Sequence, residues 1–210
     1  AYENGNKIHG GSNMTKELSE MSLEELWQLF PIILKEHNPE YNNWYLEEKE
    51  SLINIVGKNN IARINHIGST SVKGLIAKPT VDILLEINND CELEVLKDKI
   101  SNNGWILMSY SNDTEPTMVF NKGYTKYGFA EKVFHLHFRY FNDWNELYFR
   151  DYLKLNKEVA DEYGKLKLSL KDKYEHNRDG YTEAKTEFIM KYTRKAREEF
   201  GDRYSKGENK

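Results

Sequence analysis

The chain has 210 residues, 39% of them hydrophobic and 13% aromatic, with 30 Lys and Arg against 34 Asp and Glu for a net charge of -4. That balance suits one folded domain with a charged surface, and it argues against a general polyanion-binding face while leaving room for a local basic pocket. A single cysteine, Cys91, excludes a disulfide framework and a cysteine-rich zinc site. No apolar run approaches the roughly 20 residues that span a bilayer, and no signal peptide is visible, so a cytoplasmic protein without a membrane partner is expected.

Residues 1–13, rich in Gly and Asn and aperiodic, read as an appended or disordered segment before Met14. Residues 14–200 then form one expected domain, and 201–210 read as a frayed tail. Ser22-Leu23-Glu24-Glu25 has capping-box spacing, and Leu23, Leu26, Phe30, Ile33 and Leu34 share a helical face that Pro31 kinks or restarts. A second helix is predicted over about 40–56, with Tyr45, Leu52 and Val56 inward and Gly57 at its end.

The apolar period then changes. Residues 61–67 (IARINHI) and 80–87 (TVDILLEI) read as strands, joined by the turn-rich GSTSVKGLIAKP. In the second strand Val81, Ile83, Leu85 and Ile87 face one way and Asp82, Leu84 and Glu86 the other. Leu93, Leu96 and Ile100 mark a helix stopped near Gly104. Strands follow at 105–109, 117–121 and 132–140, and helices at 144–155, through Val159, Tyr163, Leu166 and Leu170, and over about 182–200. The fold class is therefore α+β, a mixed sheet flanked by N-terminal and C-terminal helices.

The chemistry-bearing residues cluster in the middle of the chain. Gly68-Ser69-Thr70-Ser71 directly follows a strand, where glycine allows close backbone approach and hydroxyls and free N–H groups can hold phosphate oxygens. It matches neither a P-loop nor a dinucleotide fingerprint, and an ordinary Gly/Ser turn is the alternative. Asp82 lies in an otherwise apolar strand, so a metal or a salt-bridge partner is expected beside it. Glu86, near the strand end, is a weaker ligand candidate that solvation would also explain. His135 and His137 project from one strand face and could bind a divalent metal or hold phosphate, as could His66 just before the turn.

His66 to Val72, with Gly74-Leu75, Ala77-Lys78-Pro79 and Val81-Asp82-Ile83, resembles the signature of the GrpB family. His135-Leu136-His137 is similar to that family's H-L-H strand, and residues 181–189 (YTEAKTEFI) to its C-terminal helix. The resemblance spans about residues 27–190 and implies a polymerase beta-like nucleotidyltransferase fold, in which a Gly-Ser turn precedes a strand bearing two carboxylates at i and i+2. Here only Asp82 matches, because Leu84 occupies the second position and the His135/His137 pair replaces the third acid expected on a later strand.

What the resemblance implies is a metal-dependent nucleotidyltransferase-like enzyme. A nucleoside triphosphate would lie on residues 68–71 with Ser69 at its β/γ-phosphates. Asp82 would be the catalytic, metal-binding carboxylate, with His135 and His137 in the metal shell. Lys78 and Lys185 would offset phosphate charge. The metal would be Mg²⁺ or Mn²⁺, or Zn²⁺ given the imidazoles, and the acceptor a small molecule or macromolecule. A non-catalytic nucleotide-binding module and a metal-dependent phosphohydrolase are the alternatives.

Overall fold

The computed structural model describes residues 16–207; the expected appended segment 1–13 and the last three residues of the tail lie outside the described residues. Helix α1 (Leu23–Leu29) starts at a reciprocal capping box, in which Ser22 Oγ accepts from the Glu25 amide at 3.1 Å and Glu25 Oε1 from the Ser22 amide at 3.3 Å. Pro31 ends this helix rather than restarting it. Ile33 and Leu34 continue in an extended segment, where Lys35 pairs with Ala77 through backbone bonds of 2.9 and 3.0 Å.

Helix α2 (Tyr41–Val56) leads to strands β1 (Ile61–Ile67) and β2 (Thr80–Ile87), helix α3 (Leu93–Ser101), and strands β3 (Ile106–Ser111), β4 (Thr117–Thr125) and β5 (Gly128–Tyr140). Three helices complete the fold: α4 (Asn145–Leu155), α5 (Lys157–Tyr174) and α6 (Arg178–Phe200). The last begins earlier than its apolar spacing suggests, because Asn177 Oδ1 caps it by accepting from the Gly180 amide at 3.0 Å.

The five strands form one mixed sheet in the order β1-β2-β5-β4-β3, with β2 and β5 parallel and the other neighbours antiparallel. Alternation along the strands gives the sheet two chemically different faces. One face buries Val81, Ile83, Leu85, Ile87, Phe120, Phe134, Leu136 and Phe138 against α2 and α3, forming the main core with Trp105 at its margin. Each such side chain contributes about 1.5–3 kcal/mol on burial, so this layer anchors the sheet. On the other face the register places Asp82 beside His135, Leu84 beside His137, and Asn121 opposite His135. This face meets the C-terminal helices, where Leu84 and Ile67 pack on Leu147.

Glu86 shares that second face, but its carboxylate is 0% exposed. Arg63 Nε and Nη2 donate to it at 2.6 and 2.9 Å, and the Asn142 amide donates at 3.2 Å. Glu86 is therefore neither solvated nor available to a metal; it is one half of a buried, bidentate ion pair. Tyr204, within the segment expected to fray, is tied to α4: its hydroxyl accepts from Arg150 Nη2 at 3.0 Å and donates to Asp151. No helix of the described residues is long and apolar enough to cross a membrane.

Candidate functional site

Strand β1 ends at Gly68, whose φ of 73° opens the short 3-10 turn Ser69–Ser71. A Cβ at Gly68 would stand 2.7 Å from Asp82 Oδ2, so only glycine lets the turn and the carboxylate lie this close. Replacing Gly68 with alanine is expected to cost about 1–3 kcal/mol and to push Asp82 out of place. Urea denaturation checks the first effect, and binding of divalent metal by the folded variant the second.

Hydroxyl groups hold the turn in shape. Thr70 Oγ1 donates to Thr80 O at 3.0 Å and meets His66 Nε2 at 2.9 Å, while Ser71 Oγ donates to Gly68 O at 2.5 Å. His66 lies opposite Ile83 in the register, on the core-facing side, and its ring stacks on Tyr45 with centroids 5.1 Å apart. Burial pushes its pKa down to about 4, leaving a neutral ring that braces the turn from behind. Neither His66 nor Ser71 lines the cavity, so both support the turn instead of touching a ligand there.

The cavity, of about 820 Å³, lies between the second sheet face and helices α4 to α6. Gly68, Ser69, Thr70, Lys78, Asp82, His135, His137 and Lys185 all line it. The register thus brings together most of the candidates read from sequence. Asp82 Oδ1 receives His137 Nε2 at 3.2 Å and His135 Nδ1 at 3.5 Å. Burial works to raise the Asp82 carboxyl, but the two imidazole bonds outweigh it and hold it well below the usual carboxylate range.

A hydrogen-bond chain extends from this carboxylate. His135 Nε2 lies 2.7 Å from Tyr124 Oη, and Arg178 Nη1 donates to the same oxygen at 2.7 Å. Because the ionised Asp82 can only accept, a neutral His135 carries its proton on Nδ1, toward Asp82, and its bare Nε2 accepts from Tyr124 Oη. Burial depresses the His135 pKa and favours this neutral ring. Tyr124 reaches the chain because Gly123, at φ 100°, sits at a register shift of β4 against β5.

The donor set tests the two-metal expectation. The position two residues after Asp82 is Leu84, 0% exposed and packed on Leu147, and Glu86 is closed in its ion pair. One carboxylate and two imidazoles suit a single ion such as Zn²⁺ or Mn²⁺, not a pair of Mg²⁺. Among the described residues no three His, Cys, Asp or Glu side chains are already arranged as a metal-holding group. Here both imidazoles bond to the carboxylate that would be their co-ligand.

Opposite Asp82 stands a basic wall. Lys167 is 2% exposed, with Nζ 2.9 Å from Ser69 Oγ, and burial with the charges of Lys185 and Lys78 brings its pKa down to about 6. Burial, with Lys185 and Arg178 nearby, lowers Lys78 to about 7; burial lowers Lys185 to about 8. Of the two lining carboxylates, Glu146 is paired with Arg139 at 3.0 Å, and of the lining arginines Arg197 is paired with Asp143 at 2.8 Å, which leaves Asp82 with three amines, Arg178 and Arg194. A cavity with this charge excess lowers its energy by taking up an anion. Sequence reading missed Lys167, Arg178 and Tyr124. The one available signal was the place of Lys167 on the buried stripe of α5, with Ala160, Tyr163 and Gly164.

A family model described as "GrpB protein" matches residues 31–195. The glutamate-rich protein GrpB of Alkalihalophilus pseudofirmus is 33% identical over 162 residues, which are 75% of this chain and 91% of that protein. The UPF0157 protein YqkA of Bacillus subtilis is 31% identical over 178 residues, 82% of this chain but 48% of that longer protein. The crystal structure of the conserved protein GrpB from Enterococcus faecalis superposes with a TM-score of 0.69 at 28% identity, covering 80% of this chain and 99% of that one.

Proposed function

Because the chain belongs to the GrpB family, whose signature it carries on the turn and on strands β2 and β5, we propose that it binds a nucleoside triphosphate as a nucleotidyltransferase-like enzyme. The observation that carries the reading is the buried Lys167 bonded to Ser69, with the half-buried Lys78 and Lys185 lining the same cavity as one ionised carboxylate. Ser69 and the backbone of the turn receive phosphate oxygens, and the lysines and Arg178 balance their charge. Asp82, His135 and His137 would hold one divalent ion, which would supply further neutralisation of phosphate charge. To ligate through Nδ1, His135 would donate Nε2–H to Tyr124 instead of accepting from it.

The buried Leu84 favours a second reading, a nucleotide-binding module without transfer, since the fold's second acid is absent. Incubation with each triphosphate and Mn²⁺ or Mg²⁺ separates the cases. Pyrophosphate release that needs an acceptor supports transfer, orthophosphate release supports hydrolysis, and binding without turnover supports the module. No triphosphate binding at all refutes every version.

Without metal, affinity is expected to depend on pH through the amines. Lys78, Lys167 and Lys185 lose protons between about pH 6 and 8 in the free protein. A bound anion favours their charged forms, so binding takes up protons. His137, Arg178, Arg194 and Arg197 also line the cavity, with Asp82 and Glu146, whose carboxyls are held low by their partners, and His135, which burial pushes down. Triphosphate should bind at least about tenfold more tightly at pH 7 than at pH 9. A flat calorimetric profile over that range would remove the lysines from the site.

A further inference from the structure

We infer that a second cavity of the molecule binds a small aromatic carboxylic acid, with its carboxylate on Arg178 in the wall shared with the main cavity. Binding there goes beyond the triphosphate reading and does not depend on it.

Pro31 ends α1, and backbone pairing of Lys35 with Ala77 holds the segment that follows beside the strand of the turn region. A cavity of about 380 Å³ lies between this segment, the start of α2 and the start of β5. Its volume falls within the roughly 300–1,000 Å³ of small-molecule sites. Tyr41 and Trp44 meet edge to face with centroids 5.3 Å apart, and Tyr124 and Phe129 do the same at 5.3 Å. All four rings line the cavity. Such a lining favours a flat apolar body, because aromatic contacts add to the gain from buried area.

The charges of the cavity select the polar end of the ligand. Lys78, Thr80 and Arg178 line both cavities and so stand between them. Arg178 Nη1 donates to Tyr124 Oη at 2.7 Å, and its guanidinium lies 5.2 Å from the centre of that ring, which fixes its place. Its remaining N–H groups, and the Lys78 amine, have no hydrogen-bond or ion-pair partner among the described residues. A guanidinium held in this way presents paired donors that match a carboxylate. The exposed charges of the lining are Lys35, Glu36 and Glu131, in which carboxylates are in excess. That excess repels a dianion more than a monoanion, so the set favours a carboxylate over a phosphate.

Phenylacetate and cinnamate, each with its neutral amide as control, test this by ligand-observed saturation transfer and calorimetry on the full chain. The acids should bind at about 1 mM or tighter, and their amides about 10-fold or more weakly. Arg178→Met should abolish that preference, and Arg178→Lys should recover part of it. Ala130 is exposed and lines this cavity but not the main one. Ala130→Phe should therefore fill the space and weaken acid binding about 10-fold or more, while the affinity for tripolyphosphate keeps its wild-type value. Circular dichroism melts confirm that each variant is folded, and Ala130→Phe keeps the test open should Arg178→Met fail to fold. Equal binding of acid and amide, a preference that survives Arg178→Met, or tighter binding of phenyl phosphate than of phenylacetate overturns the carboxylate seat. Acid binding that Ala130→Phe leaves intact lies outside this cavity and overturns the site, as does no binding of either acid. Tripolyphosphate binding by the same samples reads the triphosphate site separately.

Discussion

Glu86→Ala is expected to destabilise the protein by about 3–5 kcal/mol, because it leaves the Arg63 guanidinium partly buried without its carboxylate. Arg63 is held on several sides: it donates twice to Glu86, once to Asn142 O at 2.8 Å, and its guanidinium stands 4.7 Å from the Phe141 ring. These contacts join β1, β2 and the segment after β5, so the loss would reach across the sheet. Arg63→Met with Glu86→Leu is expected to recover most of the stability, since a packed apolar pair avoids the desolvation of two charges. Urea midpoints for the two single variants and the double variant give the coupling directly. Singles that lose less than about 1 kcal/mol would mean that the pair contributes no more than a surface bridge. Glu86→Gln should leave divalent-metal affinity unchanged, which separates this residue from Asp82.

The second large effect concerns Asp82→Asn. The substitution keeps the side-chain shape and an oxygen able to accept from His135 and His137, so the folded state should persist. What it removes is the only anionic donor of the proposed single-ion set and the one cavity-lining carboxylate that is not paired with an arginine. The gain in triphosphate affinity that Mn²⁺ confers on the wild type is expected to vanish, a loss on the order of 100-fold in metal affinity. Metal titration of the folded variant with and without triphosphate measures it, and wild-type metal affinity would end the assignment. Acid stability offers an independent readout. The Asp82 carboxyl sits below its unfolded value of about 3.9, so its contribution is complete above that pH and is lost as pH falls below it. The Asn variant should lack that part of the acid-unfolding limb.

Local signals gave the framework wherever one rule acted alone. The capping box at Ser22, the period-two alternation of Thr80–Ile87 and the H-L-H strand each depend on neighbours a few residues away, and each element forms as its pattern predicts. Pro31 and the start of α6 differ, because a proline's effect and a helix cap depend on what the next turn can pair with. Glu86 shows the limit most plainly. On a strand, side-chain alternation assigns it to the face of Asp82, yet its partner Arg63 comes from another strand, and only the antiparallel register makes them neighbours.

The same division runs through the site. By itself the sequence determined that a Gly-Ser turn follows a strand, that Asp82 leaves the apolar face of the next strand and that His135 and His137 share a strand face, because these are consequences of strand period and chain order. Only the tertiary structure decided that His66 faces the core, that Tyr124 and Arg178 hold His135, and that Lys167 meets Ser69 from 98 residues away. A buried lysine leaves no local periodic signature beyond its place on a helix stripe. Its charge becomes informative once the packing of α5 on the turn has removed water from it.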